Sequence, residues 1–452
     1  MSALRPAGVD YARYRFLVID DQPLVRQSLR SCVQAMGGFV VDFAQGYHDA
    51  MHRIRNLPPN IVLCDYLLGS GRSGQQLLEE VRRRELLPEE AIFIMVTGEQ
   101  SYEGVVACVE LAPDDYILKP FSPELLSVRV HRLIVKKQLL QPYYEAKREA
   151  RHDDAKRFLD LALEMRQFAA YKIDLMRCDA ELMLATNRLD DARKAYQRIL
   201  DIHPIPWANV GIARVLQRGG SLEEARARVE EVIAGAPNFL AAYDLKASIC
   251  ADMGDHQEAQ STLTNVVARS PRNQRRKRAL AAAALANGDA QTANSVMQEV
   301  IASEAATGAA GIEDYLMLAR GALDANDILA AERAIECAKG IQVMDLDHRL
   351  ACAALRAVIA PAAGTPDFLV LREVWLGTPM LPERLVDGLR AALAIGDNAF
   401  ADEIARRLMD EEGVRRVFQS ALSIYARHGR QQDFRDLQKQ AALARIRHAP
   451  PG

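Results

Sequence analysis

Ile61-Val-Leu-Cys64, an uninterrupted apolar run that ends on Asp65, is the stretch on which the fold of this 452-residue chain turns. A run so short and so continuously apolar suits a strand covered on both faces, as strands of parallel sheets are. Three further runs share its form, and each ends on polar residues. Upstream, Arg15-Phe-Leu-Val-Ile19 stops at Asp20-Asp21; downstream, Ile92-Phe-Ile-Met-Val96 stops at Thr97, and Tyr116-Ile-Leu118 stops at Lys119-Pro120. Phe39-Val-Val-Asp-Phe43 offers one more strand. Helical spacing fills the intervals, so five βα units are expected, wound as a doubly wound five-stranded parallel sheet. In open sheets of this kind the reactive site lies beyond the carboxyl ends of the strands, which is where all these polar residues fall.

From about residue 138 the pattern changes. Strand-like runs stop, Ala, Leu, Glu and Arg dominate, and helical spacing continues to about Arg447. Small residues recur: Ala192, Ala225, Ala259 and Ala293 follow one another at intervals of 33, 34 and 34, and twelve residues before each stand Ala180, Ala213, Ala247 and Ala281. Asn187, Gly220, Gly254 and Gly288 lie between the paired alanines, and Pro204, Pro237 and Pro271 follow the first three units. A turn residue five positions before an alanine, between two helical stretches, marks a helix–turn–helix unit with a close-packed seam. This period and layout resemble the tetratricopeptide repeat. The resemblance implies stacked helix pairs with an extended concave surface. A fifth unit (Ala319, Asn326, Ala331) follows an insertion around Thr307 to Gly311. Beyond Pro361 the pattern degrades, with Gly396, Ala401 and Gly429 as remnants or a cap. The expected organisation is α/β plus all-α, with residues 12–137 as the sheet domain and residues 138–447 as a repeat domain.

Composition narrows the classes. A formal charge of −3 leaves no global basic field, so no nucleic-acid partner is expected. Seven cysteines without a C-x-x-C pair fit buried thiols in a reducing cytoplasm better than disulfides or zinc sites. Met1 to Tyr14 lacks the apolar core of a signal peptide, and no stretch approaches 18 uninterrupted apolar residues, so a cytoplasmic chain without membrane insertion is expected. No H-E-x-x-H, G-x-S-x-G or Walker pattern occurs, so no separate enzymatic output is expected. His48 and His52 share a helix face but lack a third metal ligand. Arg275-Arg-Lys-Arg278 is read as a solvated helix start rather than a nucleic-acid patch.

Asp20, Asp21, Asp65, Thr97 and Lys119 together define a chemistry. Three crowded carboxylates repel one another and call for a cation, and Mg²⁺ suits an all-oxygen site that bridges carboxylate to phosphate. One carboxylate can then attack a phosphoryl group and form an aspartyl phosphate. Such transfer asks the protein mainly for positioning and charge neutralisation. Lys119 supplies a second positive charge to the phosphoryl oxygens, and the Thr97 hydroxyl a hydrogen-bond donor. The order of these residues resembles the receiver domain of two-component response regulators. The resemblance covers roughly Arg13 to Lys136, with 44 residues from Asp21 to Asp65 and 54 from Asp65 to Lys119. Asp114-Asp-Tyr-Ile-Leu-Lys-Pro-Phe121 matches the family's fifth strand closely. It implies a flavodoxin-like fold, Asp65 as phosphoacceptor, and Mg²⁺ held by Asp20, Asp21, Asp65 and the carbonyl of Leu67. Thr97 and Tyr116 become the switch pair, and a histidine kinase or phosphotransfer protein the phosphoryl donor.

The chain departs from that family in the loop after the acceptor. Tyr66-Leu-Leu-Gly-Ser-Gly-Arg-Ser-Gly74 places Gly74 nine residues beyond Asp65 rather than eight, which suggests a longer, more mobile loop. Leu67 puts an apolar side chain where an attacking water must approach, so slowed self-dephosphorylation is expected.

The receiver's last helix is expected from Pro123 to about Leu140, broken or kinked by Pro142, and leading directly into a first helix pair at Tyr143 to Met165. The family's switch face corresponds here to Ser101 to Val135; it either docks on the repeats and is released, or pairs with a second receiver to give a homodimer. In the repeats, the inner helices are expected to line a groove for a protein partner. Its residues would be Arg177, Trp207, Arg214, Asp244, Arg275 and Arg278, with Asp174 and Glu181 nearby, a mixed and partly basic surface suited to a peptide or helix. The expected function is a response regulator with a phosphorylation-gated partner-binding output. The alternatives are a phosphate sink or direct regulator of a histidine kinase, or an unrecognised nucleic-acid-binding output.

Overall fold

The computed structural model describes residues 9–69, 73–98, 113–305, 310–341, 344–410 and 414–448. The five expected strands form: β1 Arg15–Ile19, β2 Val40–Ala44, β3 Ile61–Cys64, β4 Ile92–Thr97 and β5 Asp115–Leu118. All pair in parallel in the order β2-β1-β3-β4-β5, the flavodoxin-like doubly wound order. Side chains alternate across the pleat into two cores. Phe16, Val18, Ile61, Leu63, Ile94 and Val96 pack on one face with helices α1 Pro23–Met36 and α4 Pro123–Leu139. Leu17, Ile19, Val62, Cys64, Phe93 and Met95 pack on the other with α2 Tyr47–Asn56 and α3 Gly74–Arg83. Burial on both faces explains why the strands read as continuous apolar runs.

Local signals set the helix ends. Pro23 opens α1, and Gly37 closes it in the left-handed region at φ 99°. The Ser122 hydroxyl accepts the Leu125 N–H, and Pro123 stands in the first turn of α4. Leu140 alone separates α4 from the helix Gln141–Arg148, whose first turn holds Pro142. The expected break at Pro142 is present, since a proline inside a continuous helix would remove a hydrogen bond and clash. Of the stretch expected to form the switch face, residues 101–112 lie outside the described residues.

The remainder is a long run of helices. Lys172–Ala185 pairs with Leu189–Leu200, Pro206–Arg218 with Leu222–Gly235, Gln274–Ala286 with Ala290–Ala305, and Ile312–Asp324 with Ile328–Lys339. The turn residues picked from sequence all take left-handed φ: Asn187 58°, Gly220 81°, Gly254 84° and Gly288 81°. After each, an N–H reaches back across the turn, as from Arg188 to the Met183 carbonyl at 2.8 Å and from Asp289 to Ala284 at 2.8 Å. The alanine seam is buried throughout, from Ala180 and Ala192 to Ala319 and Ala331.

Past Pro361 the structure is more regular than the sequence pattern. Gly396 (φ 80°) and Gly429 (φ 71°) join complete pairs, Pro382–Ala394 with Asn398–Asp410 and Val414–Arg427 with Gln431–His448. The irregular unit lies between: Leu346–Ile359 runs through Ala360 into Pro361–Val370 with no left-handed residue. That unit breaks the period and hides the repeats after it. The chain divides into two compact units, residues 1–242 and 243–452. The first therefore holds the sheet domain together with the earliest helix pairs, and the expected boundary at 137/138 falls inside α4. Among the described residues, no helix is long and apolar enough to cross a membrane.

Candidate functional site

The parallel ladder continues one step past β1, β3 and β5 and delivers the polar residues together. Asp20 N–H donates to the Ala44 carbonyl, Asp65 N–H to Ile19 at 2.8 Å, and Lys119 N–H to Thr97 at 2.7 Å. Lys119 Nζ then donates to Asp20 Oδ2 at 2.7 Å and Asp65 Oδ2 at 2.9 Å. Oxygens of Asp20, Asp21 and Asp65 all lie within 4.8 Å of one another, the one such metal-capable cluster among the described residues. Asp20 is buried, Asp65 half-buried and Asp21 exposed. Asp20 is further fixed by the Gln22 N–H on Oδ1 at 2.9 Å and by Arg26 Nη1 on its carbonyl at 2.6 Å.

Protonation follows from crowding. Burial pushes the Asp65 carboxyl above the usual aspartate range, and Lys119 offsets this only in part because it is shared with Asp20. Burial works against the Lys119 charge, but its bonds to Asp20 and Asp65 outweigh that and hold its pKa above normal. Three carboxylates facing one ammonium leave the site short of positive charge, and every donor is oxygen. A hard divalent cation such as Mg²⁺ fits this set.

Thr97 ends β4 with its side chain buried, and Tyr116 on β5 packs half-buried against the cluster that contains Cys64, Tyr66 and Met95. Leu67 is 45 % exposed beside the acceptor. Gly74 carries a meaning the sequence only hinted at. A Cβ there would stand 2.0 Å from the Asp65 carbonyl oxygen and 2.8 Å from Cys64 Sγ, so only glycine lets α3 start this close to the acceptor.

The six residues expected to line a partner groove divide between the two units. Arg177, Trp207 and Arg214 lie in the first. The Arg177 guanidinium stacks 5.0 Å from the Trp207 ring centroid and pairs with Glu181 at 2.7 Å. Burial pushes the neighbouring Tyr196 hydroxyl up to about 12, with Glu181 adding to the shift and Arg214 and Arg177 opposing it. Asp244, Arg275 and Arg278 lie in the second unit. Arg275 is exposed, but Arg276 grips Asp244 through both oxygens, and Arg278 is held by Glu304 and Asp314, each at 2.6 Å. Part of the run Arg275 to Arg278 is thus built into the chain rather than solvated; Arg276 is only 4 % exposed. The signal was the spacing of 32 residues from Asp244 to Arg276, nearly one repeat. His48 and His52 are both exposed, and His52 contacts Asn56.

Comparison with known proteins agrees on the first part of the chain. The family model for the response regulator receiver domain matches residues 16–131. The phosphate regulon transcriptional regulatory protein PhoB of Escherichia coli (strain K12) is 32% identical over 116 residues, 26% of this chain and 49% of that protein. The DNA-binding response regulator MtrA of Mycolicibacterium smegmatis is 31% identical over 122 residues, 27% of this chain and 51% of that protein. The chain therefore spans about half the length of the curated relatives it matches. Among solved structures, a CheY-like receiver domain protein from Methanospirillum hungatei JF-1 is 26% identical, covering 28% of this chain and 96% of its own, with a TM-score of 0.26.

Proposed function

We propose that this chain, whose residues 16–131 are a response regulator receiver domain, accepts a phosphoryl group on Asp65 and passes the signal to a tetratricopeptide-like repeat region that holds a protein partner. The donor is a histidine kinase or phosphotransfer protein. The observation that carries the reading is the double contact of Lys119 with Asp20 and Asp65 at the strand ends. An Asp65 oxygen attacks the phosphorus, the nitrogen–phosphorus bond of the donor's phosphohistidine breaks, and its electron pair leaves with the imidazole. Asp20, Asp21, Asp65 and the Leu67 carbonyl would hold Mg²⁺, which when bound offsets the charge of the approaching phosphoryl oxygens. Lys119 is freed from Asp65 to meet one of those oxygens, and the Thr97 hydroxyl meets another. Tyr116, one strand away, follows the Thr97 movement.

Two features support transmission to the repeats. A single residue, Leu140, separates α4 from the first of the following helices, so movement of α4 is not lost in a floppy tether. Lys137 near the end of α4 pairs with Asp114, which directly precedes β5, at 3.0 Å. The same ammonium donates to the Glu89 carbonyl and lies 5.3 Å from the Tyr144 ring centroid. Lys147 then takes the Glu89 carboxylate at 2.6 Å. Strand β5, which carries Tyr116, is in this way tied to the helix after α4.

The test is capture of partners by the full-length protein and by Asp65→Ala, each with Mg²⁺ and with or without beryllofluoride. A non-kinase protein whose recovery responds to beryllofluoride only when Asp65 is present is the expected result. Recovery of histidine kinases alone, whatever the state of Asp65, would favour a phosphate sink or kinase regulator instead.

A further inference from the structure

The loop that follows Asp65 is one residue longer than its family's and glycine-rich, and Gly69 takes a left-handed φ of 69°. Such a loop should leave the acceptor and the Leu67 carbonyl poorly fixed, yet its first residue is held at two points. The Tyr66 side chain turns away from the acidic cluster into the apolar core on that face of the sheet, where it is 6 % exposed. Its hydroxyl donates to Gln75 Oε1 at 3.1 Å, and Gln75 is itself 2 % exposed. Its carbonyl accepts the Gly74 N–H at 2.8 Å. Gly74 and Gln75 open α3, and that start is locked by Ser73 and Gln76, each side chain accepting the other's backbone N–H. The Cys64 thiol donates to the Asp65 carbonyl at 3.2 Å, and the Gly74 Cα rests against the same oxygen.

We infer that Tyr66 and Gln75 are positioning residues of the acceptor site, joined by a buried hydrogen bond that fixes Asp65 and the Leu67 carbonyl toward Mg²⁺. The inference rests on the proposed function for its chemistry. Neither side chain touches the metal or the phosphoryl group. Both act through the backbone between Asp65 and Leu67, which cannot shift without moving a capped helix.

The experiment measures Mg²⁺ binding to the full-length protein by calorimetry, using the metal alone, in wild type, Tyr66→Phe, Gln75→Met and the double variant. Melting temperature without metal and the Mg²⁺ dependence of phosphorylation by acetyl phosphate are followed alongside. Each single change breaks this buried hydrogen bond, so each is expected to weaken Mg²⁺ binding about 5- to 10-fold. The double variant, which removes both atoms, binds no more weakly than either single one. The Mg²⁺ concentration that gives half the maximal phosphorylation rate is expected to rise by the same factor. Unchanged Mg²⁺ affinity with a lowered melting temperature would make the pair merely structural and overturn the inference, and so would fully additive losses. Tyr66→Phe removes a single oxygen, so a folded protein is available for the comparison. Wild-type protein that binds Mg²⁺ yet takes no phosphoryl group would overturn the proposed function while the four affinities still decide the positioning role.

Discussion

At the ends of β1 and β3, three carboxylates crowd together and one lysine bonds two of them; between the helices Ile312–Asp324, Leu346–Ile359 and Pro382–Ala394, three carboxylates share two arginines. In this second cluster Arg320 holds Asp387 through two bonds of 2.9 and 2.7 Å and reaches Glu313 at 2.7 Å. Arg384 meets Glu313 at 2.5 Å and Asp347 at 2.6 Å. Asp387 is wholly buried and every charge has a partner. The carboxyl groups respond in opposite ways. Burial works against Glu313, yet Arg320 and Arg384 outweigh it and hold its carboxyl down at about 2. Burial pushes Asp65 up, Asp20 adds to the shift, and Lys119 opposes it only in part. A cluster with enough arginine is closed and holds helices together. A cluster one cation short, placed at the strand ends, is left to bind one.

The largest effect that tests this contrast is on phosphoryl uptake. Asp65→Asn should abolish labelling by acetyl phosphate in the presence of Mg²⁺, whereas Asp387→Asn should leave it intact; mass spectrometry of the intact protein checks both. Next comes stability of the closed cluster. Asp387→Ala takes two hydrogen bonds from buried Arg320 and leaves it only Glu313; it should cost about 3–5 kcal/mol, read by urea unfolding through buried Trp375 in a Trp207→Phe background. A loss below about 1 kcal/mol would put the network on a par with surface pairs. Mg²⁺ should act on the open cluster alone. At 100 times its dissociation constant it should stabilise the sheet domain by about 2.7 kcal/mol and leave the Trp375 transition unmoved.

Acid titration should separate the clusters by sign. Glu313 has a folded pKa below its ordinary value, so its contribution is present above about 4.5 and fades as the pH falls toward 2. Solvent screens it, since 43 % of its side chain is exposed. Asp65 has a raised folded pKa, so its contribution without metal declines as the pH rises through that value. Stability measured against pH, with Asp65→Asn and Glu313→Gln as references, should show slopes of opposite sign. The smallest effect is expected for the exposed pair Lys147–Glu89, where Lys147→Ala should cost less than about 1 kcal/mol.

Legibility differed between residues for physical reasons. The strands were plain because both faces of the sheet are covered, and the turn residues because left-handed φ selects Gly and Asn. β2, at the sheet edge with Val40 exposed, is shifted by one residue, β4 runs one residue further to Thr97, and β5 starts one residue earlier at Asp115. The acidic cluster was legible because each member ends a strand. Arg276 was misread because a charged residue looks solvated until its partner, one repeat earlier, is seen. Nothing local marked Tyr66 and Gln75 as partners either: eight residues, three of them glycines, lie between them.

The sequence by itself determined the two structural periods, the residues at the strand ends and the positions of the helix turns, since these depend on backbone preference and on which side chains must leave water. Tertiary structure alone decided which charges meet: that Lys119 is divided between Asp20 and Asp65, that Arg276 closes on Asp244, and that buried Asp387 is held by Arg320. Ion pairing depends on distances of a few ångströms between residues 32 to 99 positions apart, and those distances exist only once the helices and strands have packed.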